Sequence, residues 1–143
     1  MKKEKAPLGL YIHIPFCRQK CAYCDFYSLP SREDKMDAYT DALIRHIREV
    51  APRTESHQVD TVYFGGGTPT TLSAEQLTAV LRAVEESFDL SQLREYTVEA
   101  GRPDSITPEK LAVMKEYGVT RISINPQTMN DETLRTIGRA HNA

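Results

Sequence analysis

Apolar residues fall along this chain in two alternating rhythms. Runs rich in β-branched and aromatic residues at Leu8–Ile14, Val59–Phe64, Glu95–Ala100 and Val119–Asn125 predict four strands. Between them the apolar positions recur every three or four residues, which is helical spacing. Met36, Tyr39, Leu43, Ile47 and Val50 predict a helix over residues 33–50, and Leu77, Val80, Leu81, Val84 and Phe88 predict a second. A third runs from Pro108 to Tyr117. Ser31 with Asp34, and Ser73 with Gln76, have the spacing of capping boxes. Thr107 before Pro108 reads as an N-cap and first-turn proline, and Gly118 as a C-terminal stop. Pro15 and Pro126 end the first and fourth strands, and Asn130 caps a last short helix carrying Leu134 and Ile137.

The order is strand then helix, four times over. Such repeats predict an α/β fold, an open parallel sheet with helices outside it. Four units do not close an eight-stranded barrel. The expectation is therefore a portion of a larger domain with one sheet edge exposed, uninterrupted by any linker or low-complexity stretch.

Composition narrows the partners. The chain has 143 residues, 40% of them hydrophobic and 27% charged, enough apolar content to fold around a core. A net charge of -2 gives no electrostatic case for nucleic acid. The apolar stretch Leu8–Phe16 is short and holds His13 and Pro15, so it reads as a strand and not as a signal-peptide core. No run approaches the roughly 18 apolar residues of a membrane span. A cytoplasmic protein is the expectation.

The chemistry is concentrated in three cysteines, Cys17, Cys21 and Cys24. An odd number in one cluster argues against a disulfide framework and for metal binding in a reducing compartment. Three thiolates are one short of the four that close a structural zinc site or an ordinary iron–sulfur cluster, so a coordination position would stay open. Parallel α/β sheets build sites at the C-terminal ends of their strands. There the cysteine loop follows the first strand, Gly65-Gly66-Gly67 the second, Glu99 ends the third, and Gln127 follows the fourth. Other readings stay open on the residues alone. The cysteines could hold zinc with His13 as fourth ligand, or be unligated core thiols. The glycines could make a tight turn or admit a ligand close to the backbone; without a following Lys-Ser/Thr they are not a phosphate loop. Glu99 and Gln127 could be ordinary strand-end polar residues. His46, His57 and His141 carry no assigned role.

The Cys-x3-Cys-x2-Cys run with Tyr23 before its last cysteine resembles the radical S-adenosylmethionine superfamily. Tyr11-Ile12-His13-Ile14-Pro15-Phe16-Cys17, Gly65-Gly66-Gly67-Thr68-Pro69-Thr70 and the stretch from Gln127 to Arg139 are similar to the oxygen-independent coproporphyrinogen III oxidase family. That family includes oxidases of heme biosynthesis and heme chaperones. The likeness runs from Leu8 to His141. It implies a partial (β/α) TIM-like barrel, of which residues 1–143 would be the N-terminal portion of the core domain. It implies a [4Fe–4S] cluster on Cys17, Cys21 and Cys24 whose open iron binds the amino and carboxylate groups of S-adenosylmethionine. Reductive cleavage would then give a 5′-deoxyadenosyl radical. By position, Tyr11, Tyr23, Gly66, Gly67, Thr68, Glu99, Gln127 and Arg139 would contact S-adenosylmethionine. The partners implied are a porphyrinogen or heme and an electron donor of the flavodoxin or ferredoxin type.

Two cues point to different branches. Phe26 stands where one branch of biosynthetic oxidases has a further cysteine, which resembles the chaperones. Glu99-Ala100-Gly101-Arg102-Pro103-Asp104 and Ile124-Asn125-Pro126-Gln127-Thr128 look more like a coproporphyrinogen dehydrogenase-like branch of Gram-positive bacteria. In this family the porphyrin site is shaped mostly by chain beyond Ala143, so these residues alone are expected to be inactive.

Overall fold

The computed structural model describes residues 4–17, 29–30, 33–101, 103–124 and 129–137. Strands β1 (Ala6–Ile14), β2 (His57–Gly66), β3 (Glu95–Glu99) and β4 (Arg121–Ser123) form one parallel sheet. Helices α1 (Met36–Val50), α2 (Ala74–Ser87) and α3 (Pro108–Glu116) connect them, and α4 (Asp131–Thr136) follows. Each strand lies beside its predecessor. A doubly wound sheet reverses its order and carries helices on both faces; a barrel wall runs in sequence and keeps them on one. Here the order does not reverse, and α1 packs on α2 and α2 on α3.

Strand alternation sorts the two faces. Ile12, Ile14, Val62, Phe64, Tyr96 and Val98 are buried in a core shared with Met36, Ile47, Leu77, Val80, Leu81, Val84 and Met114 of the helices. Each such large side chain, fully buried, contributes about 1.5–3 kcal/mol. The opposite face is set by register: Tyr11 pairs with Tyr63, His13 with Gly65, Tyr63 with Thr97, and Glu99 with Ser123. That face is polar and aromatic, as the inner face of a barrel wall around a site would be.

One bulge keeps this alternation in phase. The register jumps from Leu8↔Val59 to Gly9↔Thr61, leaving Asp60 without a ladder partner. The extra residue lets Val59 and Val62, three apart, both be buried. Asp60 is secured instead by Arg94, whose backbone N–H donates to its carbonyl at 2.7 Å and whose guanidinium donates to its carboxylate at 2.8 Å.

Three of the predicted caps form. Ser73 and Gln76 exchange both bonds of a capping box, at 2.9 and 3.1 Å. Thr107 Oγ1 accepts from Lys110 N, and Asn130 Oδ1 from Thr133 N. Gly118 ends α3 at φ 86°. Several expected limits shift: the first strand begins at Ala6, the second spans His57–Gly66, and the third ends at Glu99. A 3-10 turn at Glu33–Lys35 delays α1 to Met36, and Lys35 stands at its N-cap with no side-chain bond; Ser31 lies outside the described residues. β4 starts two residues later than expected, because Val119 N bonds to Met114 O, still closing off the helix, while Thr120 N reaches Tyr96 O. Among the described residues no helix is long and apolar enough to cross a membrane.

Candidate functional site

The strand ends meet on one side of the sheet. β1 runs on through Pro15 into Phe16–Cys17, which pairs in parallel with Leu29–Pro30. The two described ends of the cysteine segment, at Cys17 and Pro30, therefore lie side by side. The Cys17 end is fixed further. Gly67 N donates to Ile14 O at 2.8 Å and Thr68 N to Phe16 O at 2.7 Å. Tyr39 of α1 donates its hydroxyl to the His13 carbonyl and meets the Phe16 ring edge-on at 5.4 Å. Cys17 is buried, and its Sγ lies 3.5 Å from Thr68 Oγ1.

The glycines make room for the protein's own groups. A Cβ on Gly67 would stand 2.9 Å from Cys17 Sγ and 2.7 Å from Phe16 O. Gly66 has φ 112°, a region side chains disfavour, and a Cβ there would come within 2.8 Å of the His13 ring. Sequence reasoning had assigned this space to a turn or an approaching ligand. In the structure it is first the space in which Cys17 and His13 are seated.

A second cluster lies on the inner face. Tyr11, 60% exposed, places its hydroxyl 3.0 Å from His13 Nδ1 and stacks on Tyr63 at 6.1 Å and 16°. Tyr63 donates its hydroxyl to Glu99 Oε1 at 2.7 Å. Burial raises the Tyr11 phenol above its ordinary value, with the Glu99 charge adding to it. Burial, then the bond to Glu99 and its charge, push Tyr63 up to about 12, against an opposing pull from Arg121. An apolar cleft of about 300 Å³ between β1 and α1 shares Tyr11 and His13 with this cluster.

The Tyr63 shift has a measurable sign. Between the ordinary tyrosine value of 10.0 and about 12, the unfolded chain has lost this proton while the folded protein keeps it. Stability is therefore expected to fall as pH rises through that window. Phenolate absorbance compared with Tyr63→Phe checks it; a Tyr63 midpoint at its ordinary value would refute the coupling to Glu99.

Deeper on the same face Glu95 accepts from Thr97 at 2.7 Å and Arg121 at 2.9 Å, and these bonds lower its carboxyl. The loops after β2 and β3 are joined as well. Thr70 and Ser105, both buried, share a hydroxyl–hydroxyl bond, and Lys110 Nζ donates to Thr70 O at 2.7 Å and Ser105 O at 3.1 Å.

Of the residues singled out from sequence, Tyr11, Cys17, Gly66, Gly67, Thr68 and Glu99 gather at these strand ends. Cys21, Tyr23, Cys24, Gln127 and Arg139 lie outside the described residues. Among those described, no three His, Cys, Asp or Glu side chains form a metal-binding group. Sequence reasoning missed Tyr63. Its position two residues before Gly65 on a strand puts it on the same face as the glycine and was the available signal.

Comparison with known proteins extends the local picture to the framework. A family model described as the radical SAM superfamily matches residues 11–143. The oxygen-independent coproporphyrinogen-III oxidase-like protein HemZ of Bacillus subtilis is 44% identical, over 97% of this chain and 29% of that protein. The heme chaperone HemW of Lactococcus lactis is 42% identical, over 94% of this chain and 34% of that one. Among solved structures, coproporphyrinogen III oxidase (HemN) from Escherichia coli, described as a radical SAM enzyme, superposes with TM-score 0.85 and 32% identity. That match covers 96% of this chain and 32% of the other. The chain thus spans about a third of the length of the relatives it matches. A likeness that begins at Tyr11 and runs through every strand end just described belongs to the framework and not to one motif: the chain belongs to the radical SAM superfamily, related to HemN, HemZ and HemW.

Proposed function

We propose that Cys17, Cys21 and Cys24 hold a [4Fe–4S] cluster and that the strand ends present S-adenosylmethionine to it. The protein carrying them would act in heme biosynthesis as an oxygen-independent coproporphyrinogen III oxidase. The family implies both the cluster and S-adenosylmethionine. The observation that carries the reading is Cys17 Sγ, buried at the end of β1 beside Gly67 and Thr68. It lies at the strand ends, where Tyr63 stacks on Tyr11 and hydrogen-bonds to Glu99. A thiol cradled where any Cβ on Gly67 would strike it fits a ligand that must be held in one place.

When bound, the cluster supplies the electron that cleaves the sulfonium C–S bond of S-adenosylmethionine. The chain's own residues bind and orient. Gly66, Gly67 and Thr68 would line the methionine end. Glu99 would accept hydrogen bonds from ligand hydroxyl or ammonium groups, and the exposed Tyr11 ring would offer an aromatic wall. Tyr23, Gln127 and Arg139 complete the proposed set, with Arg139 suited to a carboxylate. A flavodoxin- or ferredoxin-like protein would serve as electron donor.

A second reading is a heme chaperone that binds and transfers heme with little oxidase activity. Phe26 and the 42% identity to a HemW protein favour it. The 44% identity to HemZ, with the Glu99–Asp104 stretch, favours the first. The zinc-stabilised reading needed His13 as a ligand. Membership of the superfamily favours iron–sulfur over zinc.

Anaerobic reconstitution of the whole protein with iron and sulfide, followed by coproporphyrinogen III, S-adenosylmethionine and a reductant, tests these readings. Vinyl-bearing product is expected. Heme binding without turnover would instead establish the chaperone. A colourless protein holding one tight zinc ion would overturn both.

A further inference from the structure

Tyr63 is a group on the inner face that the proposed site leaves unused. Its hydroxyl crosses from β2 to β3 to donate to Glu99 Oε1 at 2.7 Å. The other carboxylate oxygen, Oε2, lies over the glycine turn: a Cβ on Gly65 would stand 3.0 Å from it and 2.8 Å from Tyr63 Cε1. A side chain at position 65 would crowd the phenol and the carboxylate where they meet. Resting on the placement of Glu99 at the cofactor, we propose that Tyr63 is a positioning residue of the S-adenosylmethionine site. It holds Glu99 through one oxygen so that the other is turned to the bound ligand.

The carboxylate torsion of a glutamate is broad, so an unsupported Glu99 would sample many orientations. A fixed donor on Oε1 removes that freedom before the ligand arrives, and affinity gains from what need not be ordered on binding. Tyr63 suits the task. Burial and Glu99 together keep its phenol protonated, and therefore a donor, far above neutral pH. The other titratable groups facing the pair among the described residues are Tyr11 and His13 from β1 and Arg121 from β4, with Glu95 further down β3. The bland alternative is that Tyr63 only packs against Tyr11, with which it stacks. Phenylalanine would preserve that stack and lose only the hydroxyl.

The test uses the cluster-loaded protein and calorimetric binding of S-adenosylmethionine to wild type, Tyr63→Phe, Glu99→Gln and the double variant. Tyr63→Phe is expected to weaken binding about tenfold, the worth of one hydrogen bond to a charged group. In the Glu99→Gln background it is expected to add nothing, because Tyr63 acts through Glu99. A cofactor-independent signature accompanies this: Glu99→Gln should move the Tyr63 phenolate transition down from about 12. Weakened binding in Glu99→Gln with unchanged binding in Tyr63→Phe would overturn the role of Tyr63 alone. So would equal losses from Tyr63→Phe in both backgrounds. Unchanged binding in Glu99→Gln would overturn the placement of Glu99, and this proposal with it.

Discussion

Replacing Gly67 by alanine is expected to cost the protein most of its iron. The added Cβ would stand 2.7 Å from Phe16 O, 2.9 Å from Cys17 Sγ and 3.0 Å from Phe16 C. Two of those three atoms are backbone, and that backbone is pinned by Gly67 N to Ile14 O and Thr68 N to Phe16 O. Relief must come from moving the thiol or parting the strand ends. Overpacking of this kind costs about 1–3 kcal/mol. A thiol pushed out of this cradle would be less well placed to hold the cluster together with Cys21 and Cys24. Gly66→Ala should act through a different term, the φ of 112°, with a backbone cost of about 1–3 kcal/mol in addition to contact with the His13 ring. Gly101→Ala supplies the contrast: its Cβ would meet nothing within 4 Å, so stability should change by less than about 0.5 kcal/mol. Iron and acid-labile sulfide per chain after reconstitution, with denaturation midpoints, decide the matter. Wild-type iron content in Gly67→Ala would show that the cradle yields and that the proposed ligand position tolerates it.

The glycines also mark how far the sequence could be read. Local signals were legible wherever the physics was local. Ser73 and Gln76 formed their box because both partners sit within one turn. Gln76 then reaches Asp37 on α1 at 2.6 Å, a long-range bond that no spacing announces. Thr107, Asn130 and Gly118 behaved as caps for the same local reason. Strand limits were legible only to within tertiary context. β4 begins late because Val119 still closes off α3 through Met114, while Thr120 is committed to Tyr96 on the neighbouring strand. The bulge at Asp60 explains why Val59 and Val62 are both buried, and a strict period of two would have hidden it. At the site, the sequence offered Glu99 and the glycines as separate groups at the ends of different strands. It could not show that Glu99 and Tyr63 touch beside Gly65, because that contact joins residues 36 positions apart on two strands. Cys17 is the one proposed cluster ligand with a described setting; Cys21 and Cys24 rest on spacing and family membership.

Lys110→Met is expected to lower stability by about 2–4 kcal/mol and to loosen the turn that carries Thr68. Lys110 projects from the first turn of α3, and its ammonium donates to Thr70 O and Ser105 O at 2.7 and 3.1 Å. Thr70 and Ser105 are buried, so carbonyls deprived of that donor have little water to turn to. A buried acceptor left unmade costs about 1–3 kcal/mol, and methionine keeps the aliphatic stem while removing only the charge and its donors. The consequence reaches the site because Thr70 lies two residues beyond Thr68, whose hydroxyl is 3.5 Å from Cys17 Sγ. Lys110 thus ties the loop after β2 to the loop after β3, and with them the two strand ends that carry Gly67 and Glu99. Lys110→Arg, which retains a donor, should recover part of the loss. Urea denaturation gives the first quantity, and amide exchange of the Gly67–Thr71 turn gives the second. A loss below about 0.5 kcal/mol, the scale of ordinary surface substitutions, would mean that water replaces the ammonium and that the two loops hold together without it.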